Sequence, residues 1–172
     1  MKGLSIPVSA QDHSQGPADA AITLVEYGDY QCPYCGEAYP MLKAVQQALG
    51  DRMRFVFRNF PISEIHPNAL PAARFAEAAA DAGLFWEAHD LLYQRQDALS
   101  AHDLQAYAKQ LGVDPALLQA ADNGAFDERI ERDFMGGVRS GVNGTPCLFI
   151  NGVRYDGARD VDSLVEVLTE LA

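Results

Sequence analysis

The chain has 172 residues, 48% of them apolar and 22% charged, the make-up of an ordinary globular domain able to bury its own core. Its net charge of −11 repels phosphate backbones, so nucleic acid is excluded as an expected partner. No run approaches the roughly 18 apolar residues of a membrane span, and three cysteines are too few, and odd in number, for a disulfide framework.

The apolar stretch after Lys2 ends too soon for a secretory leader. The protein is therefore expected in the cytoplasm as written, or outside it if a leader has been removed. Residues 1 to about 20 carry turn signals at Gly16-Pro17 and Asp19 and are expected to be irregular. The β-branched run Ala21–Tyr27 reads as a buried strand, and Gly28–Gln31 as a loop into Cys32. From Pro33 to Leu49 apolar residues recur at helical spacing, with Pro40 expected to kink the helix and Gly50 to stop it. Arg52–Arg58 alternates as a half-buried strand would.

A helical block follows. It predicts a helix over Pro67–Ala82 and another from Leu84 to about Leu99, the second carrying Phe85, Trp86, His89, Leu92 and Tyr93. Ser100 with Asp103 forms a capping-box start, and Asp114-Pro115 opens a shorter helix. Phe126, Ile130, Phe134 and Val138 make one apolar stripe. The end returns to β: Cys147–Ile150 and Val153–Tyr155 flank Asn151-Gly152, a hairpin signal, and Asp160 caps a last helix with Leu164, Val165 and Leu168 inward.

Chemistry concentrates at Cys32-Pro33-Tyr34-Cys35. Cys32 falls between a strand and a helix N-terminus, where free N–H groups and the helix dipole stabilise an anion. Its thiolate should form below the free pKa of about 8.5 and attack disulfides. Cys35, one turn further in, can then resolve the mixed disulfide. Pro33 suits the first turn because it has no N–H to waste there. A metal site is not expected: zinc takes four ligands, and His13, His66, His89 and His102 offer no close pair.

The block Gly144-Thr145-Pro146 before a strand resembles the cis-proline loop of the thioredoxin superfamily. With Glu26–Cys35, the helical insertion and Phe149–Gly152, the chain resembles the bacterial DsbA-like branch. Phe60-Pro61, His66-Pro67, Phe85-Trp86 and His89-Asp90 fit the members found as small soluble proteins and as domains fused to sodium/proton antiporters. The resemblance implies an α/β fold, thioredoxin-like, as one domain over 1–172. Its core would lie at about 1–62 and 141–172, with a helical insertion at about 63–140.

The resemblance implies further that Cys32 is the nucleophile, Cys35 the resolving thiol, and Thr145-Pro146 a cis peptide beside which a substrate strand pairs. Pro33 and Tyr34 would tune the pair. Glu26 would sit beneath Cys35 and relay its proton. Cys147 departs from the pattern, either as a small buried residue or as a third thiol near the pair. The expected function is disulfide exchange with protein or small thiol substrates, with no cofactor because the cysteines carry the electrons. Two alternatives stand beside it: a cytoplasmic glutaredoxin-like or thioredoxin-like reductase, and a regulatory or thiolate-metal module using the groove near Pro146. Phe85 and Trp86 read as core, His66 as a helix-entry residue, His89 as a partly buried helix residue, and Asp29 and Tyr30 as the rim of the site.

Overall fold

The computed structural model describes residues 3–172. Its centre is a five-stranded mixed sheet in the order β1 (His13–Gln15), β3 (Met53–Asn59), β2 (Ile22–Gly28), β4 (Cys147–Ile150), β5 (Val153–Tyr155). β2 runs parallel to β3 and antiparallel to β4. Helix α1 (Pro33–Leu49) connects β2 to β3, and α7 (Val161–Leu171) closes the chain. Five helices lie between β3 and β4: α2 (Ala69–Asp81), α3 (Phe85–Gln94), α4 (Ala101–Leu111), α5 (Pro115–Asp122) and α6 (Asp127–Arg139).

Alternation along the strands divides the interior in two. Ile22 and Leu24 of β2, Phe55 and Phe57 of β3, and Leu148 and Ile150 of β4 face the larger core, with α1, α7 and most of the insertion. Val25, Tyr27, Val56, Cys147 and Phe149 face the other side, a smaller core that includes Phe60 and Phe134 of α6. Each fully buried large apolar side chain contributes about 1.5–3 kcal/mol by leaving water.

Several elements differ from the sequence expectation. The N-terminal region contains a strand: His13–Gln15 pairs antiparallel with β3. Its residues are polar and half-buried, so no apolar pattern announces it. What holds it is tertiary. His13 Nε2 lies 2.9 Å from the buried Glu77 carboxylate and its ring stacks on Phe85 at 3.7 Å. Beside it, Arg58 is buried against Asp12 and also donates to the Ile6 and Pro7 carbonyls and the Tyr27 hydroxyl. β3 is consequently buried on both faces rather than half-buried.

The expected stripe on α6 holds only at Ile130 and Phe134. Val138 is 45% exposed, and Gly136 and Gly137 occupy the buried face, because the backbone there packs against Ile6, Tyr27 and Phe60. α3 ends at Gln94 instead of near Leu99. The Ser100–Asp103 capping box and the Asp114 and Asp160 caps form. The hairpin turns at Asn151 and Gly152, both with positive φ (48° and 83°), the backbone such a two-residue turn requires.

Candidate active site

Strand register builds the site. β2 ends at Gly28, and Tyr27 pairs with Cys147, so residues 145–146 fall beside the loop that follows β2. In that loop Cys32 N–H donates to the Asp29 carbonyl (3.1 Å), and Cys32 becomes the N-cap of α1 with extended φ and ψ. Pro33 takes the first helical position, and no acidic side chain stands in the first turn to compete with an anion there. The Thr145–Pro146 peptide is cis, and the Cys32 thiol donates to the Thr145 carbonyl at 3.5 Å.

All three cysteines are free thiols. Cys32 and Cys35 lie in the larger core, at 3% and 0% exposure. A hydrogen bond from the Cys35 thiol, opposed by burial and joined by the Thr145 hydroxyl and the N–H groups of Cys35 and Tyr34, pulls Cys32 down to about 5. The buried Thr145 hydroxyl has no acceptor in the thiol form, so the thiolate supplies one. Burial pushes the Cys35 thiol well up, reinforced by its bond to Cys32 and by Glu26. One sulfur is therefore an anion at neutral pH while its neighbour keeps its proton.

Glu26 projects from β2 with Leu24, toward the same core as the pair. It is 2% exposed, and its Oε2 has no hydrogen-bond partner. Burial first, and the Cys32 charge second, push it up to about 8, with Arg159 opposing. Tyr93 Oη is also buried without a partner and feels Cys35 and Glu26. Glu26 Oε2 and Tyr93 Oη, with the Thr145 hydroxyl, thus leave three unpaired polar atoms around the pair among the described residues. In the sequence Tyr93 carries no signal of this role, because it reads as one more apolar position of α3.

Asp29 and Tyr30 do not line a solvent rim; both are 1% exposed. Asp29 is the knot of the loop, accepting from Gln31 N–H (2.8 Å), Ile62 N–H (2.9 Å) and His66 Nδ1 (2.8 Å). His66 therefore binds the site loop as well as preceding α2. Tyr30 donates its hydroxyl to His89 Nδ1 at 2.9 Å. His89 is fully buried rather than partly so, and burial drives its pKa well down, leaving a neutral acceptor. Phe85 is core, while Trp86 is half-buried with its indole N–H on the Ser14 carbonyl (3.2 Å). Gln96, which carried no motif, donates to the carbonyls of Tyr30 and Cys32.

Cys147 is buried in the smaller core, across the sheet from Cys32 and Cys35, where burial raises its pKa. Tyr34 is 68% exposed and lines a shallow hollow with Glu37, Ala38, Met41, Pro146 and Arg159. Among the described residues no group of three or more His, Cys, Asp or Glu is placed to hold a metal ion, and no helix is long and apolar enough to cross a membrane.

A thioredoxin family model matches residues 9–170. The chain belongs to the thioredoxin family. It is 43% identical to the Na(+)/H(+) antiporter NhaA 1 of Salinispora arenicola, over 96% of this chain and 26% of that protein. The chain thus spans about a quarter of the length of the curated relatives it matches. Among solved structures, BdbD of Bacillus subtilis superposes with a TM-score of 0.81 at 23% identity, covering 99% of this chain and 98% of that one. A periplasmic thioredoxin-like protein of Salmonella enterica serovar Typhimurium gives 0.78 at 25% identity, covering 93% and 89%. The fold is that of the DsbA-like thiol–disulfide oxidoreductases.

Proposed function

We propose that this protein catalyses thiol–disulfide exchange with protein substrates through Cys32 and Cys35, and that it works as an oxidant. The observation that carries the reading is the placement of the pair: Cys32 is the N-cap of α1, its sulfur 3.5 Å from the Thr145 carbonyl beside the cis Thr145–Pro146 peptide, and Cys35 is fully buried behind it.

The proposed direction rests on how unequal the two thiols are: the Cys35 thiol and the nearby donors pull Cys32 down to about 5, and burial pushes Cys35 well up. A stabilised Cys32 thiolate stabilises the reduced form, so the Cys32–Cys35 disulfide readily takes up an electron pair. A substrate thiolate attacks Cys32 Sγ; the intramolecular disulfide breaks, and Cys35 leaves with the electron pair and takes up a proton. Glu26, protonated at neutral pH by its burial, is the proposed donor of that proton. A second substrate thiolate attacks the substrate sulfur of the mixed disulfide and expels Cys32 as thiolate. The substrate ends with a disulfide and the enzyme with a dithiol, so the electrons balance without a cofactor. Thr145 offers its backbone to the substrate strand, and Pro33, Tyr34 and Pro146 meet the side chains around the reacting sulfur. Cys147, on the other face, takes no part.

An oxidant of this kind suits an oxidising compartment, which favours the extracytoplasmic placement. The test is the reduction potential of the pair in glutathione buffers. A value nearer the oxidant end, about −120 mV, supports the proposal; one near the thioredoxin value of about −270 mV overturns the direction. Cys32→Ser must abolish oxidation of a reduced substrate protein, and activity that survives it overturns the mechanism.

A further inference from the structure

After α3 the chain turns toward the pair at Gln96, and the two hydrogens of its side-chain amide go to two different carbonyls. Nε2 lies 2.9 Å from the Tyr30 oxygen and 2.8 Å from the Cys32 oxygen. The orientation is dictated by chemistry: a reversed amide would set Oε1 against two carbonyl oxygens, which repel it. The Cys32 carbonyl also accepts the Gly36 N–H at 3.1 Å, so both of its lone pairs are filled. On its other side the amide lies over the first turn of α1. A Cβ at Gly36 would stand 2.0 Å from Oε1 and 2.7 Å from Cδ of Gln96. The slot exists because residue 36 has no side chain.

We propose that Gln96 is a positioning residue for the redox pair, clamping the Tyr30 and Cys32 carbonyls so that the first N–H groups of α1 stay aimed at the Cys32 sulfur. The peptide planes that enter a helix set the direction of its free N–H groups. Those of Tyr34 and Cys35 face the sulfur. They stabilise the thiolate only while the entry to the turn holds its orientation, and a loop free to rotate would lose much of that alignment. Gln96 lies between α3 and α4, so the clamp also ties the insertion to the chemistry. α3 ends at Gln94, and the turn that follows brings Gln96 to the loop.

This inference rests on Cys32 being the reacting thiol. The experiment uses the full reduced chain with Gln96→Ala, Gln96→Met, Gly36→Ala and the Gln96→Ala/Gly36→Ala pair. Gln96→Met keeps the length and loses the donor, so it stands in where truncation unfolds the chain. Thiolate absorbance near 240 nm is titrated against pH, and circular dichroism confirms folding. Half-ionisation of Cys32 near pH 5 in the parent, moved up by about one unit, leaves about fivefold less thiolate at pH 5. Gly36→Ala should do the same by evicting Gln96, and the double variant should be no worse than either single. A folded Gln96→Met with the parent's titration curve overturns the clamp, and so do single effects that add in the double variant. A parent chain with no thiolate below pH 7 overturns the functional reading itself, and this inference with it.

Discussion

Replacing Glu26 by Gln should stabilise the protein, and the gain should grow with pH in a defined window. In the folded chain the carboxyl is pushed from 4.5 up to about 8, chiefly by burial. In the unfolded chain it ionises near its ordinary value. Between those two values the folded state holds a proton that the unfolded state has released, so rising pH favours unfolding. At 1.36 kcal/mol per pKa unit the penalty is roughly 1 kcal/mol at pH 5 and roughly 3 at pH 7, and it levels off above pH 8. A glutamine has no proton to lose and escapes it. Urea unfolding of the reduced wild type and Glu26→Gln at several pH values should therefore diverge by about 2 kcal/mol between pH 5 and 7. Curves that stay parallel across that window would refute a neutral, buried Glu26. The same variant should slow formation of the mixed disulfide with a reduced substrate, since the proposed proton donor to the departing Cys35 is gone.

Other outcomes follow from particular contacts. Iodoacetamide should label Cys32 of the native reduced protein with half-maximal rate near pH 5, and leave Cys35 and Cys147, whose pKa values burial raises, unlabelled at pH 7, as read by peptide mass spectrometry. Gly137→Ala places a Cβ 2.8 Å from the Phe60 ring and 3.0 Å from Tyr27; overpacking of about 1–3 kcal/mol should outweigh the helix-propensity gain and lower the urea midpoint. Tyr30→Phe strands the buried Nδ1 of His89 without its donor and should cost roughly 1–3 kcal/mol in the same assay.

The thiol motif, its place between a strand and a helix, and the Asn151-Gly152 turn were legible because each depends on neighbours in sequence. The capping residues Ser100, Asp114 and Asp160 were legible for the same reason. Elements whose partners are distant in sequence were not legible. Polar His13 forms a strand because Glu77 and Phe85 receive it. Asp29 and Tyr30 resemble rim residues until Ile62, His66 and His89 bury them. Val138 continues a numerical stripe, but close backbone packing gives the buried face to Gly136 and Gly137.

The cysteine pair belongs to both levels. Sequence alone determined that two thiols stand one helical turn apart at a helix start, because that spacing is local and the helix dipole follows from it. Only the tertiary structure decided how unequal they are. It brought Thr145 to the sulfur of Cys32, buried Glu26 in the same core as Cys35, put Cys147 on the far side of the sheet, and set Gln96 over Gly36. Desolvation and long-range hydrogen bonds depend on which distant segments meet, and strand register and helix packing settle that.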